Sequence, residues 1–368
     1  MKPRVAQLRG VMKLKKLAGF LVTKKENVRW LSGYTGQDPF FLLITRDKKY
    51  FFAQFSSVDQ VREQSQGFNI VDITKGKDPK KIISQTFRKC KGKRIGFEDA
   101  IPYRQLSFLK RQDKNNHRHY QATKMVIDEL RMIKDDEEIR CVRKACRLVD
   151  EGYWFVRRQL KVGLTEQELE WRLERYLRDR GGDERSFQFV VGFGQHSARG
   201  HHEPTSRKLK AGDPILVDYG IKYKGYASDI TRTLFFGQPT AKMREVYTRV
   251  LESQQAAIKG LSLGAKVADI HKLAQGVIEK GKKYKFEHAL GHGIGLEVHE
   301  APRIASRKPQ FTNFQLEPGM IFTIEPGIYL RGTGGVRIED DVLMTKSGYQ
   351  LLTKSPKELS QSIIKVKK

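Results

Sequence analysis

Four carboxylates and one imidazole stand in order over 122 positions of the chain: Asp218, Asp229, His292, Glu325 and Glu339. Each sits in a short apolar or glycine-rich segment, where a folded protein would bury it. Four buried carboxylates without matching cations would be prohibitively costly. Two divalent ions would balance them charge for charge, the arrangement of a two-metal hydrolase.

The segments around these residues say how they would be held. Residues 215–220 (Ile-Leu-Val-Asp-Tyr-Gly) read as a strand, Lys224-Gly225 as a turn, and Tyr226 to Phe236 as the returning strand. Asp218 and Asp229 would then lie on adjacent antiparallel strands, where cross-strand neighbours can converge on one ion. Three histidines, His288, His292 and His299, fall within twelve positions of glycine-rich chain. Glycines flank His292 and would let a ligand approach the backbone closely, and neutral imidazole is a common metal ligand. Glu325 stands where Pro326 and Gly327 end a strand. Residues 335–342 alternate, so Arg337, Glu339 and Asp341 would share one face of a single strand. Arg337 would thereby orient the Glu339 carboxylate.

Helices must carry these strands. Asp135 to Leu160 has an apolar stripe of Ile139, Val142, Val149, Tyr153 and Val156. The next helix opens on a capping box, Thr165 with Glu168, buries Leu169, Leu173 and Leu177, and stops at Gly181. A second pair, Thr240 to Ile258 and Val267 to Lys280, again precedes polar strands, which suggests an internal duplication. Residues 1–125 have a different texture, with strands expected at 39–45, 50–53 and 68–73 and helices at 80–88 and 103–111. The reading is a smaller α/β domain over 1–125 and an α+β catalytic domain over 126–368.

The chain has 368 residues and a net charge of +28, and 39% of it is hydrophobic. No apolar run is long enough to span a bilayer. The first 125 residues hold 28 Lys and Arg against 10 Asp and Glu. No nucleic-acid motif accompanies that charge, so it reads as a solvated basic surface and not as a nucleic-acid interface. Three cysteines, Cys90, Cys141 and Cys146, are too few and too irregular for a disulfide framework and suit a reducing, cytoplasmic setting.

These stretches resemble the creatinase/aminopeptidase superfamily with its pita-bread fold, peptidase family M24, and within it the Xaa-Pro aminopeptidase and prolidase group. The resemblance rests on residues 217–232, 288–300, 324–327 and 335–339. Residues 27–36 (Asn-Val-Arg-Trp-Leu-Ser-Gly-Tyr-Thr-Gly) resemble the start of that group's N-terminal domain. It implies a pseudo-twofold catalytic domain holding two divalent ions, Mn²⁺ first, with Co²⁺ or Zn²⁺ as alternatives. Asp218 would bind one ion, Asp229 and Glu339 would bridge, and His292 and Glu325 would complete the set. A hydroxide between the ions would be the nucleophile and Glu325 the proton shuttle. His201 and His299 would contact the scissile carbonyl, with His288 and Arg337 beside them. The group often has proline before the first of these histidines; here Gly200 stands there, and His202 is the alternative to His201. The implied substrate is a peptide with proline in second position, and the implied assembly is a homodimer. The reading leans to an Xaa-Pro aminopeptidase, with an Xaa-Pro dipeptidase as the alternative. A binding-only protein on this fold is a weaker alternative, because all five ligands are present.

Overall fold

The structure is a computed structural model; it describes residues 4–366 except 37–40, 56, 76–77, 115–116 and 307–313. The chain divides into two compact units, Met1–Arg131 and Met132–Lys368.

The first unit runs α1 (Arg4–Leu14), β1 (Gly19–Val22), α2 (Lys25–Ser32), β2 (Phe41–Thr45), β3 (Lys49–Ala53), α3 (Ser57–Gln64), β4 (Asn69–Asp72), α4 (Pro79–Arg88), β5 (Arg94–Glu98), α5 (Tyr103–Asp113) and β6 (His119–Thr123), with α6 (Val126–Met132) at its end. Its six strands form one mixed sheet in the order β4-β3-β2-β1-β5-β6. The strands and helices expected from the sequence are present, although the start of the first strand, Pro39-Phe40, lies outside the described residues. Apolar side chains of β2 and β3 meet across the sheet, with the Phe41 and Phe52 rings stacked 4.1 Å apart. β1 and β5 are four and five residues long and were not anticipated.

The second unit opens with α7 (Asp136–Gln159) and α8 (Glu166–Asp179), each begun by a complete capping box, Asp135 with Glu138 and Thr165 with Glu168. Five strands follow: β7 (Val190–Phe193), β8 (Pro214–Tyr219), β9 (Lys222–Tyr223), β10 (Tyr226–Ala227) and β11 (Ile230–Phe236). A second helix pair, α9 (Ala241–Lys259) and α10 (Val267–Glu279), leads into β12 (Gly291–Gly293), β13 (Glu300–Ile304), β14 (Ile321–Ile324), β15 (Gly327–Leu330), β16 (Gly334–Arg337), β17 (Asp340–Thr345) and β18 (Gly348–Leu351), and β19 (Ile363–Ile364) comes last. A four-stranded sheet has the order β19-β11-β8-β7 and a five-stranded one β13-β12-β14-β17-β18, while β9 with β10 and β15 with β16 form two-stranded sheets. Helix pair followed by strands thus occurs twice, as the pita-bread fold requires. Leu169, Leu173 and Leu177 of α8 pack with Val217 and Tyr219 in one core, and Val246 and Val250 of α9 pack with Val336 and Ile338 in another. Among the described residues no helix is long and apolar enough to cross a membrane.

Two expected strands are interrupted, both at the site. The return from Lys224-Gly225 is β10 and then β11, with Ser228 and Asp229 between them. The Ser228 backbone and hydroxyl both donate to the Ile221 carbonyl, at 3.1 and 3.0 Å, and pull the chain out of the ladder. The expected strand over 335–342 is β16, paired with β15, and then β17, paired with β14. Between them the Glu339 N–H donates to the Thr231 carbonyl at 3.1 Å. The strict alternation of faces therefore ends at Ile338.

Candidate metal centre

Asp218 is the penultimate residue of β8, opposite Thr231 of β11. Its Oδ2 accepts from Arg337 Nη2 at 2.5 Å. Asp229, in the gap before β11, is 4% exposed, and its N–H donates to Asp341 Oδ2 at 3.0 Å. Glu339 is 1% exposed and accepts from the Thr231 hydroxyl at 2.7 Å. That hydroxyl in turn accepts from Arg337 Nε at 3.0 Å. Arg337 thus bonds Asp218 directly and reaches Glu339 through Thr231. The unbroken strand expected over 335–342 would set Arg337 and Glu339 side by side; the break at Glu339 puts the Thr231 hydroxyl between them.

From the other half, β12 delivers His292. Its Nδ1 faces the Gly293 carbonyl at 3.2 Å, which places the ring proton on Nδ1 and leaves the Nε2 lone pair free. Nε2 lies 3.6 Å from Asp229 Oδ2 and 3.4 Å from Glu325 Oε1. The flanking glycines serve the sheet rather than a ligand. A Cβ on Gly291 would lie 1.9 Å from the Thr323 carbonyl oxygen, and one on Gly293 2.0 Å from that of Ala301. Any side chain there would force β12 away from its neighbours and move His292. Glu325 is anchored by its N–H on the Leu290 carbonyl at 2.8 Å.

The electrostatics are those of a site short of positive charge. Burial first, and then Glu339 and Asp218, push the Asp229 carboxyl well above its ordinary range. Burial and Glu325 do the same to Glu339. Burial lifts Glu325 to about 8, although Arg337 opposes the shift. Burial depresses His292 to about 3, so its ring is neutral. Buried Asp218 Oδ1 and Asp229 Oδ1 have no hydrogen-bond partner. Among the described residues, Arg337 is the one cationic side chain hydrogen-bonded to any of the four carboxylates. Ligand atoms of Asp229, His292 and Glu339 lie within 4.8 Å of one another. Orphaned carboxylate oxygens, mutually repelling acids and a free imidazole lone pair are what bound divalent cations would satisfy, so the residues present fit the metals.

Around this group stand the other histidines. His288 has both nitrogens engaged: Nδ1 with the Ala289 carbonyl at 2.7 Å and Nε2 with the Tyr329 hydroxyl at 3.2 Å. Tyr329 also accepts from Arg337 Nη1 at 2.7 Å. A chain of contacts therefore runs Asp218–Arg337–Tyr329–His288. His299 packs edge-on against His292, with ring centroids 4.3 Å apart. His201 is exposed and close enough to His288 and His299 to lower the pKa of both. His202 is buried and turned away, its Nε2 2.9 Å from Glu166. A cavity of ≈ 240 Å³ beside His288 is lined by His271, Phe286, Glu287 and Arg303 among others.

Sequence reasoning missed Thr231, Tyr329 and Arg303. Thr231 had a usable signal, since it lies within the 217–232 motif already singled out, whereas Tyr329 stands just beyond residues 324–327. Arg303 had none, because its place is set by pairing with His292 across β12 and β13.

Residues 140–346 match Metallopeptidase family M24, and residues 4–133 match the Creatinase/Prolidase N-terminal domain. An Xaa-Pro dipeptidase of Pyrococcus horikoshii is 32% identical over 361 residues, covering 98% of this chain and 99% of the relative. The structure of an Xaa-Pro dipeptidase from Bacillus anthracis superposes with a TM-score of 0.90 at 34% identity, covering 98% of this chain and 99% of that one. The X-Pro aminopeptidase of Thermotoga maritima superposes with a TM-score of 0.85 at 29% identity, covering 96% and 99%.

Proposed function

The chain belongs to metallopeptidase family M24 and is a metal-dependent peptidase, and from that premise we propose that it is an Xaa-Pro dipeptidase. The lean of the sequence toward an aminopeptidase gives way here. The dipeptidases among its relatives support the change, and so does one feature of the site.

That feature is Arg303. Its Cα pairs with that of His292 across β12 and β13, and paired residues project side chains to the same face of a sheet. Its charge acts on His292, His299 and Glu325. It is exposed, lines the cavity beside His288, and forms no ion pair among the described residues. A free guanidinium beside the reacting centre suits the carboxylate of a two-residue substrate. A longer peptide carries its carboxylate elsewhere and gains nothing from Arg303.

In this reading Asp218, Asp229, His292, Glu325 and Glu339 hold two divalent ions. Four carboxylates with one imidazole favour a harder ion such as Mn²⁺ over softer alternatives, with Co²⁺ or Zn²⁺ as substitutes. Bound there, the ions would polarise the scissile carbonyl and lower the pKa of a water. Glu325, the least buried of the acidic ligands with its side chain 18% exposed, takes a proton and returns it to the departing proline nitrogen. His299 and His201 donate to the carbonyl oxygen as charge grows on it. His288, with both nitrogens occupied, holds Tyr329 and walls the proline side of the cavity. Arg337 fixes Asp218. Three buried free cysteines support a cytoplasmic setting.

The test offers the Mn²⁺-loaded protein an Ala-Pro dipeptide, an Ala-Pro-Pro tripeptide and a Met-Ala peptide side by side. Cleavage of the dipeptide alone is expected. Comparable cleavage of the tripeptide would return the assignment to an aminopeptidase.

A further inference from the structure

We infer that Glu166, His196 and His202 form a metal-free hydrogen-bond clamp that positions His201 over the reacting centre. The inference rests on the reading of His201 as a group that touches the substrate carbonyl.

Glu166 opens α8 directly after its Thr165 cap. An acidic residue in a first helical turn ordinarily faces solvent, where the helix dipole favours it. Glu166 is instead 0% exposed, and a carboxylate buried to that degree must be partnered. Five donors meet it. Oε1 accepts from the Phe193 N–H at 2.8 Å and lies 2.9 Å from His196 Nδ1. Oε2 accepts from the Thr205 N–H at 2.9 Å and its hydroxyl at 2.6 Å, and lies 2.9 Å from His202 Nε2. Burial alone would raise the pKa of this carboxyl. Donors from His202, Phe193 and Thr205 outweigh burial and hold it below the ordinary range. With Glu166 ionised, each imidazole serves it as an N–H donor.

All five donors lie between residues 193 and 205, the connection from β7 to β8. One carboxylate on a rigid helix therefore gathers the chain on both sides of His201. The loop is also held at its middle. The Gly200 carbonyl faces the Arg337 guanidinium at 3.4 and 3.5 Å, and the His202 N–H donates to the Arg199 carbonyl at 3.1 Å. His201 thus sits between two pinned residues, Gly200 on Arg337 and His202 on Glu166. With the His202 ring committed to Glu166, its neighbour His201 is left exposed and near enough to His288 and His299 to lower the pKa of both.

By composition the cluster resembles a zinc ligand set, and its ligand atoms lie within 4.8 Å of one another. Its chemistry differs from that of the metal centre. A carboxylate offers about four lone-pair sites, and here five donors fill them. At the metal centre, Asp218 Oδ1 and Asp229 Oδ1 are orphaned. A cation at Glu166 would have to expel two ring protons and break bonds already made. The protons do the work of an ion, and the clamp needs none.

A double-mutant cycle tests this on the full-length Mn²⁺-loaded enzyme, with the Xaa-Pro substrate that the wild type turns over. His202→Ala is expected to lower kcat by about 10- to 100-fold, since displacement of an active group by about 1 Å costs on that order. KM is expected to change less than about threefold. His202→Gln, which keeps an N–H donor, is expected to recover most of the loss. In the His201→Ala background, His202→Ala is expected to cost nothing further. If His202→Ala does not fold, His196→Ala, at the more exposed of the two rings, gives the same readout. Metal content is expected to stay at two ions per chain in every variant. Losses that multiply in the double variant would overturn the clamp, as would a third ion lost on His196→Ala. An unchanged kcat in His201→Ala would instead remove His201 from the reaction, and the clamp with it.

Discussion

Replacing Arg303 by alanine separates a dipeptidase from a more permissive enzyme, and the structure sets the size of the effect. Arg303 is exposed in the free protein, so little of its charge is spent on the fold. It forms no ion pair among the described residues, so its loss strands no buried acid. A charge-assisted hydrogen bond to a substrate carboxylate is worth about 1.5–3 kcal/mol. At about 1.4 kcal/mol per tenfold, Arg303→Ala lowers kcat/KM for Ala-Pro by roughly 10- to 150-fold. Most of that appears in KM if the bond forms equally in the bound and transition states. Ala-Pro-amide, which lacks the carboxylate, is the control and is expected to change less than about twofold between wild type and variant. Arg303→Lys is expected to recover part of the loss, because lysine keeps the charge and loses the bidentate fork. The assay is initial rates on the three proteins with both substrates under matched Mn²⁺. Equal loss on the acid and the amide would refute the argument, since Arg303 would then act on the site and not on the substrate carboxylate.

Other expectations follow from the same geometry. Glu325→Ala and Asp229→Ala are each expected to abolish turnover of Ala-Pro while far-UV circular dichroism stays that of the wild type; near-normal rates in either variant would undo the ligand assignment. His299→Ala is expected to lower kcat on the order of 10²-fold through loss of a donor at the carbonyl oxygen, read from steady-state kinetics. The Glu325 carboxyl rises to about 8 in the metal-free protein, above its value in the unfolded chain. Its contribution to stability is therefore present below about pH 4.5 and lost as pH climbs through about 8. Asp229 and Glu339 shift the same way, so Mn²⁺ is expected to raise Tm more at pH 8 than at pH 5, and an equal rise at both would contradict the charge argument. Lys134 and Glu300 form a buried pair 2.7 Å apart, with side chains 1% and 2% exposed. Lys134→Met removes that cation while the Glu297 N–H still reaches Glu300 at 3.4 Å, and is expected to cost about 1–3 kcal/mol in denaturant unfolding.

The sequence by itself determined the candidate ligand types and the elements that carry them. Asp218 and Glu325 sit in or at the end of apolar runs with turn residues beside them, and the capping box at Thr165 marks where α8 begins. Such signals are local: a strand, a turn or a cap depends on residues within a few positions. Tertiary structure decided what those residues do to one another. The breaks before Asp229 and at Glu339 arise because backbone donors leave their own ladders for Ile221 and Thr231, and no periodicity records a distant acceptor. Arg337 meets Asp218 rather than Glu339 for the same reason. Arg303 takes its place only because β13 pairs with β12. Glu166 reads as an ordinary first-turn acid until residues 193–205 fold over it. Charge and hydrogen bonding act over ångströms in space, and residues 30 to 120 positions apart come that close only when the chain is folded.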